Sequence, residues 1–150
     1  MTRRKMALSI LLFAAVSLSC ANSGGGGHDG GNQPRQNMVV QINNMSLAPH
    51  TVRVTEKGNS IAWDNWSSYI AVVSFPLSIK DGFTCSELRP DFARTANRIE
   101  SVVAIGDNED LVTPCPLKLG TYDYEVYLSN SLANRDNPQL TLKGQIEVVP

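Results

Sequence analysis

Side chains able to do bond-making chemistry are scarce in this 150-residue sequence: two histidines, His28 and His50, and three cysteines, Cys20, Cys85 and Cys115. A Ser-His-Asp site needs an imidazole held between a hydroxyl and a carboxylate, and no motif around Pro49-His50-Thr51 supplies those partners. A structural zinc site needs four Cys or His ligands at close spacing, and no Cys-x-x-Cys is present. Asp107-Asn108-Glu109-Asp110 places three carboxylates within four residues. Ca²⁺ takes 6–8 oxygen ligands, but the spacing is not that of an EF-hand and reads as an acidic, solvated turn. Asp64 and Glu100 are the remaining carboxylates worth weighing as an acid/base pair, and no spacing brings them together. Gly24 to Gly27 does not join a strand to a helix, so it is no phosphate loop. The inventory argues against catalysis and leaves recognition by shape and surface.

The elements that carry these residues begin with an address. Arg3-Arg4-Lys5 precedes eleven residues, Met6 to Val16, in which only Ser9 is polar, followed by Ser17-Leu18-Ser19-Cys20. A basic start, a short apolar stretch and a small-residue end describe a secretory signal over residues 1–19 rather than a span, since eleven helical residues cover only about half of a ~30 Å hydrocarbon layer. Ala21 to Asn37 holds six glycines among polar residues, the composition of a flexible tether reaching ~20–25 Å. The cut site resembles a bacterial lipobox, with Ser17 where leucine is usual. That resemblance implies acylation of Cys20, anchorage to the membrane through lipid, and, from Ala21, sorting to the outer membrane. The leader removes three of the thirteen Lys/Arg, leaving ten against fourteen Asp/Glu, a mature charge of −4. A mildly acidic module is not built to capture nucleic acid.

With Cys20 assigned to lipid, Cys85 and Cys115 remain as one even pair in an oxidising compartment, which predicts a disulfide. A redox pair or a pair of thiolate ligands is the alternative.

From Met38 onward, apolar and polar residues alternate with period two, cut by turn residues. Val40 and Ile42, Val52 and Val54, and Ile61 to Trp63 are short strands, with a turn at Lys57-Gly58-Asn59. Tyr69 to Phe75 is a nearly continuous apolar run, as in a central strand covered on both faces. Arg98 to Ile105 turns Ile99, Val103 and Ile105 to one side. Tyr122, Tyr124, Val126 and Leu128 form the clearest strand, and Ile146 and Val148 close the chain. Helical period is absent apart from a short turn at 86–96. The pattern predicts an all-β, antiparallel Greek-key β-sandwich over residues 38–150. Trp63 alternates inward with Ile61. Trp66 sits in an Asn-Trp-Ser-Ser turn, and together with Tyr69 it offers an aromatic platform for a sugar or protein. Tyr122 stands where Greek-key sandwiches place a corner tyrosine. Pro76 to Asn97 and Ser129 to Gln139 are long connections, the usual seat of recognition; within the second, Ser131, Arg135 and Asp136 are the expected partner-binding residues.

Four stretches in order resemble the cupredoxin family. Trp63-Asp64-Asn65 followed by Ala71-Val72-Val73-Ser74-Phe75 is similar to its aromatic-x-Asn and His-x-Val-x-Phe. Gly120-Thr121-Tyr122-Asp123-Tyr124 resembles its Gly-Thr-Tyr strand, Lys143 to Val148 its last strand, and Leu47 to Val54 its second strand. The resemblance implies a cupredoxin-like sandwich, and it places the family's copper ligands at Ala71, Val126, Ser129 and Leu142. Blue copper needs two imidazoles and a thiolate, so those positions predict no metal. The expected function is that of a membrane-anchored, extracytoplasmic binding module for a protein or glycan partner, without catalysis or cofactor. The alternative is copper electron transfer through a rearranged site.

Overall fold

The computed structural model describes residues 38–57, 60–113 and 115–150. The signal, Cys20, the tether with His28, and Gly58, Asn59 and Pro114 lie outside the described residues. Two sheets stack into a sandwich. The smaller contains β1 (Met38–Ile42), β2 (Leu47–Ala48), β4 (Ile61–Asn65) and β8 (Asp110–Val112) in the order β2-β1-β4-β8. The larger contains β3 (Thr51–Thr55), β5 (Ile70–Pro76), β6 (Phe92–Arg94), β7 (Arg98–Ser101), β9 (Gly120–Ser129) and β10 (Leu140–Val149) in the order β3-β10-β9-β5-β7-β6.

The fold class is as expected, but two pairings are parallel, β1 with β4 and β3 with β10. The cause is the chain's route. Between β1 and β4 it leaves for the larger sheet as β3 and returns in its original direction, the crossover that a parallel pair requires.

Period-two burial follows the sequence pattern. In β9, Tyr122, Tyr124, Val126 and Leu128 are buried, and in β10 Leu142, Ile146 and Val148. At the centre Trp63 packs edge-on against Phe75 and Tyr124, with centroids 5.9 and 5.4 Å away. Each such large side chain removed from water is worth about 1.5–3 kcal/mol. Gly144 lies opposite Tyr124, and a Cβ there would come within 2.4 Å of the Tyr124 ring, so the tyrosine fits only over a residue without a side chain. Burial pushes the Tyr124 hydroxyl up to about 12, partly countered by the Trp63 indole. Tyr122 is the corner tyrosine, its hydroxyl donating to the Lys118 carbonyl at 3.0 Å.

Two local readings are corrected. The strand from Arg98 stops at Ser101, and Val103 is exposed. The chain must bend there to cross to β8 in the other sheet. Ile105 still reaches the core because its N–H and C=O both bond to Ala71, at 2.8 and 2.9 Å. Residues 86–96 hold no helical turn but the edge strand β6; the short 3-10 turns are at Leu77–Gly82 and Leu132–Asn134.

The long connection after β5 is zipped to the segment before β9. Lys118 N–H donates to the Gly82 carbonyl, Phe83 bridges Leu117, and Thr84 donates to the Pro116 carbonyl. The Cys85–Cys115 disulfide closes the end of this ladder.

Candidate functional site

Strand register fixes one end of the sandwich. Ile42 is level with Asn65, Ile70 with Ser129, and Leu128 with Leu140. The connections 43–46, 66–69, 102–109 and 130–139 therefore crown the same pole. Asn65, fully buried, organises it. Its Nδ2 donates to the carbonyls of Tyr69 at 2.7 Å and Ile105 at 2.9 Å, and its Oδ1 accepts from Ser67 N–H at 3.0 Å and Ser67 hydroxyl at 2.7 Å. Asn44 Oδ1 accepts from Ser68 N–H at 2.9 Å, which joins two crown loops. The acidic segment is a closed turn in which Glu109 accepts from Gly106 N–H at 2.7 Å and Asn108 adopts φ 60°.

Beneath the crown stand the positions where the family resemblance would put copper ligands. Ala71 and Val126 are fully buried, Leu142 nearly so, and Val126 sits between Val73 and Leu142 across the sheet. Ser129 donates its hydroxyl to the Asn134 carbonyl at 3.1 Å. His50 is on the crossing from β2 to β3, where it shares a hollow with Met45 and Leu142; no second imidazole lies among the described residues. Cys85 and Cys115 are bonded to each other in the ladder described above. Methyl and isobutyl groups cannot donate to a metal, so type-1 copper does not fit this pole.

The three expected partner-binding residues separate. Asp136 is exposed and Ser131 half-buried. Arg135 instead turns into the fold, donating to the Ser101 carbonyl at 2.7 Å and lying 3.7 Å from Glu100. Arg135→Ala is therefore expected to destabilise the protein by about 1–2 kcal/mol, since a charged donor to a carbonyl is lost; urea unfolding checks it, and an unchanged midpoint would make the residue a surface group. Glu100 and Asp64 lie on different sheets.

Sequence reasoning missed most of the apolar surface of the crown. Met45 is 83% exposed, Leu132 67%, Trp66 59% and Val103 52%, with exposed Val102 beside the last, so every crown loop carries at least one. The Trp66 indole is held by a hydrogen bond to Asp64. Met45 and Leu132 sit in polar turns and carry no periodic signal, Val103 carried one that pointed inward, and only Trp66 stood out by size.

No protein-family profile matches the chain, and no curated protein matches it. The solved structures similar to it are cupredoxins. An oxidised amicyanin variant is 16% identical, with 79% of this chain and 87% of that chain covered and a TM-score of 0.48. The purple cupredoxin from Nitrosopumilus maritimus is 12% identical over 75% of this chain and 100% of that one, TM-score 0.42. A reduced auracyanin from Roseiflexus castenholzii is 16% identical over 76% and 97%, TM-score 0.42.

Proposed function

We propose that this chain is an envelope lipoprotein, held through lipid on Cys20, whose sandwich binds a partner through the crown without metal or catalysis. The observation that carries the reading is the concentration of exposed apolar side chains on the loops of one pole. Met38, where the tether joins, lies at the other end of β1 from Ile42 and the Trp66 turn.

Intact mass and metal content of protein purified from membranes test the anchor and the metal together. For binding, a Trp66→Ser and Leu132→Ser double variant should lose at least tenfold affinity for the partner that wild type retains from solubilised envelopes. Its thermal midpoint should move by no more than a few degrees, because exposed side chains contribute little to stability. Equal retention by both proteins would remove the crown from the proposal.

A further inference from the structure

The outer face of the larger sheet holds a second feature, apart from the crown's apolar residues. β5 contributes Val72 and Ser74, β7 Arg98 and Glu100, and β9 Glu125 and Tyr127. Outward residues of a sandwich are normally solvated, yet Ser74 is fully buried and Val72 only 3% exposed. They are covered by an ordered array. Arg98 Nε donates to Ser74 Oγ at 2.7 Å, and Ser74 Oγ donates to Glu100 at 3.1 Å. Arg98 also pairs with Glu125, which accepts from the Tyr127 hydroxyl at 2.8 Å. The guanidinium lies 5.1 Å from the Tyr127 ring centroid. Stability alone is a weak reason for such an array, since exposed ion pairs contribute ~0–1 kcal/mol and partly buried ones lose much of their attraction to desolvation.

The array is a ridge between two hollows. One, of about 490 Å³, has Arg98, Glu125 and Lys143 with Pro76 on its wall. The other, of about 340 Å³, has Glu100, Arg135 and Asp136 around Val72 and Pro138. Both volumes fall in the ~300–1,000 Å³ range of small-ligand sites.

We infer that this trough binds an uncharged oligosaccharide spanning the ridge, with one sugar ring in each hollow. Charge selects the class: across the two hollows the cations Arg98, Lys143 and Arg135 nearly balance the carboxylates Asp123, Glu125, Glu100 and Asp136, which favours neither an anion nor a cation. A sugar hydroxyl donates and accepts at once, matching guanidinium donors set beside carboxylate acceptors. Pro138, half-buried at the rim of the second hollow, offers an apolar edge to the C–H face of a pyranose.

The test is an NMR titration of the soluble domain, made as the mature chain with Cys20→Ala, using maltotetraose, mannotetraose and chitotetraose. Saturable shifts at Val72, Glu100 and Tyr127 are expected with at least one of them. Glu100→Gln and Tyr127→Phe, which change one polar group each and keep side-chain volume, should weaken that binding at least tenfold, and Trp66→Ser should leave it unchanged. No saturable binding of any of the three, wild-type affinity in both polar variants, or shifts gathered around Met45 and Trp66 instead would overturn the inference. A negative result here leaves partner retention by the crown intact, so the two readings fail separately.

Discussion

Asn65→Ala is expected to cost about 3–5 kcal/mol of stability, several-fold more than a surface change. Each buried polar group left without a partner costs about 1–3 kcal/mol, and this one side chain serves two carbonyls and the backbone and hydroxyl of Ser67. Urea unfolding monitored by Trp fluorescence reads the effect as a fall in midpoint. Asn65→Asp separates the donors from the acceptors. An aspartate still accepts from Ser67, but only its protonated form can donate to Tyr69 or Ile105. Burial and the facing carbonyls hold its folded pKa above the unfolded value of ~3.9. The extra stability of the protonated form is thus fully present below ~3.9 and lost as pH rises through the folded pKa. The Asp variant should gain on the Ala variant as both are acidified from neutrality. A difference between them that does not vary with pH would refute the hub role.

The second large effect is expected at the disulfide. Replacing Cys85 and Cys115 together by serine should lower stability by about 3–4 kcal/mol, the chain-entropy value for a closed loop of this size, whose cysteines are 30 residues apart. The loss has a location. Once the bond is gone, the ladder from Gly82/Lys118 to Thr84/Pro116 should open before the sheets, so amide exchange at Thr84 and Lys118 should speed up well ahead of exchange in β5 and β9. A matching fall in midpoint with reductant on the wild type would complete the case. Uniform exchange across the fold would show that the staple holds no separate unit.

How far the sequence could be read depended on whether a signal was local. Alternation of apolar and polar residues in β9 and β10 gave the inward side chains correctly, because side-chain direction in a strand has period two whatever its neighbours. The corner tyrosine and the cysteine pair were equally legible, one from its place in a strand, the other from parity. Alternation failed at Val103, where a polar/apolar pattern continued through a bend forced by the crossing to β8. Pairing direction was also invisible, since the parallel partnership of β1 and β4 arises from the path between them. At the crown, the Asn-Trp-Ser-Ser turn announced itself, but not that Asn65 bonds to residue 105. Arg135 read as a loop charge available to a partner because its acceptors lie more than thirty residues away. The ridge of Arg98, Glu125 and Tyr127 needs three strands in register to exist at all.

The order of the larger sheet has a consequence for how the molecule comes into being. Leu140–Val149 does not sit at a border but between β3 and β9, so residues 51–55 have no neighbour in their sheet to dock on until residues 140–149 are made. A ribosome releases the chain from its amino end, and throughout that time the sheet lacks the piece that joins its flank to its middle. Closure of that flank therefore waits on a segment made long after it, and until then the growing polypeptide stays open.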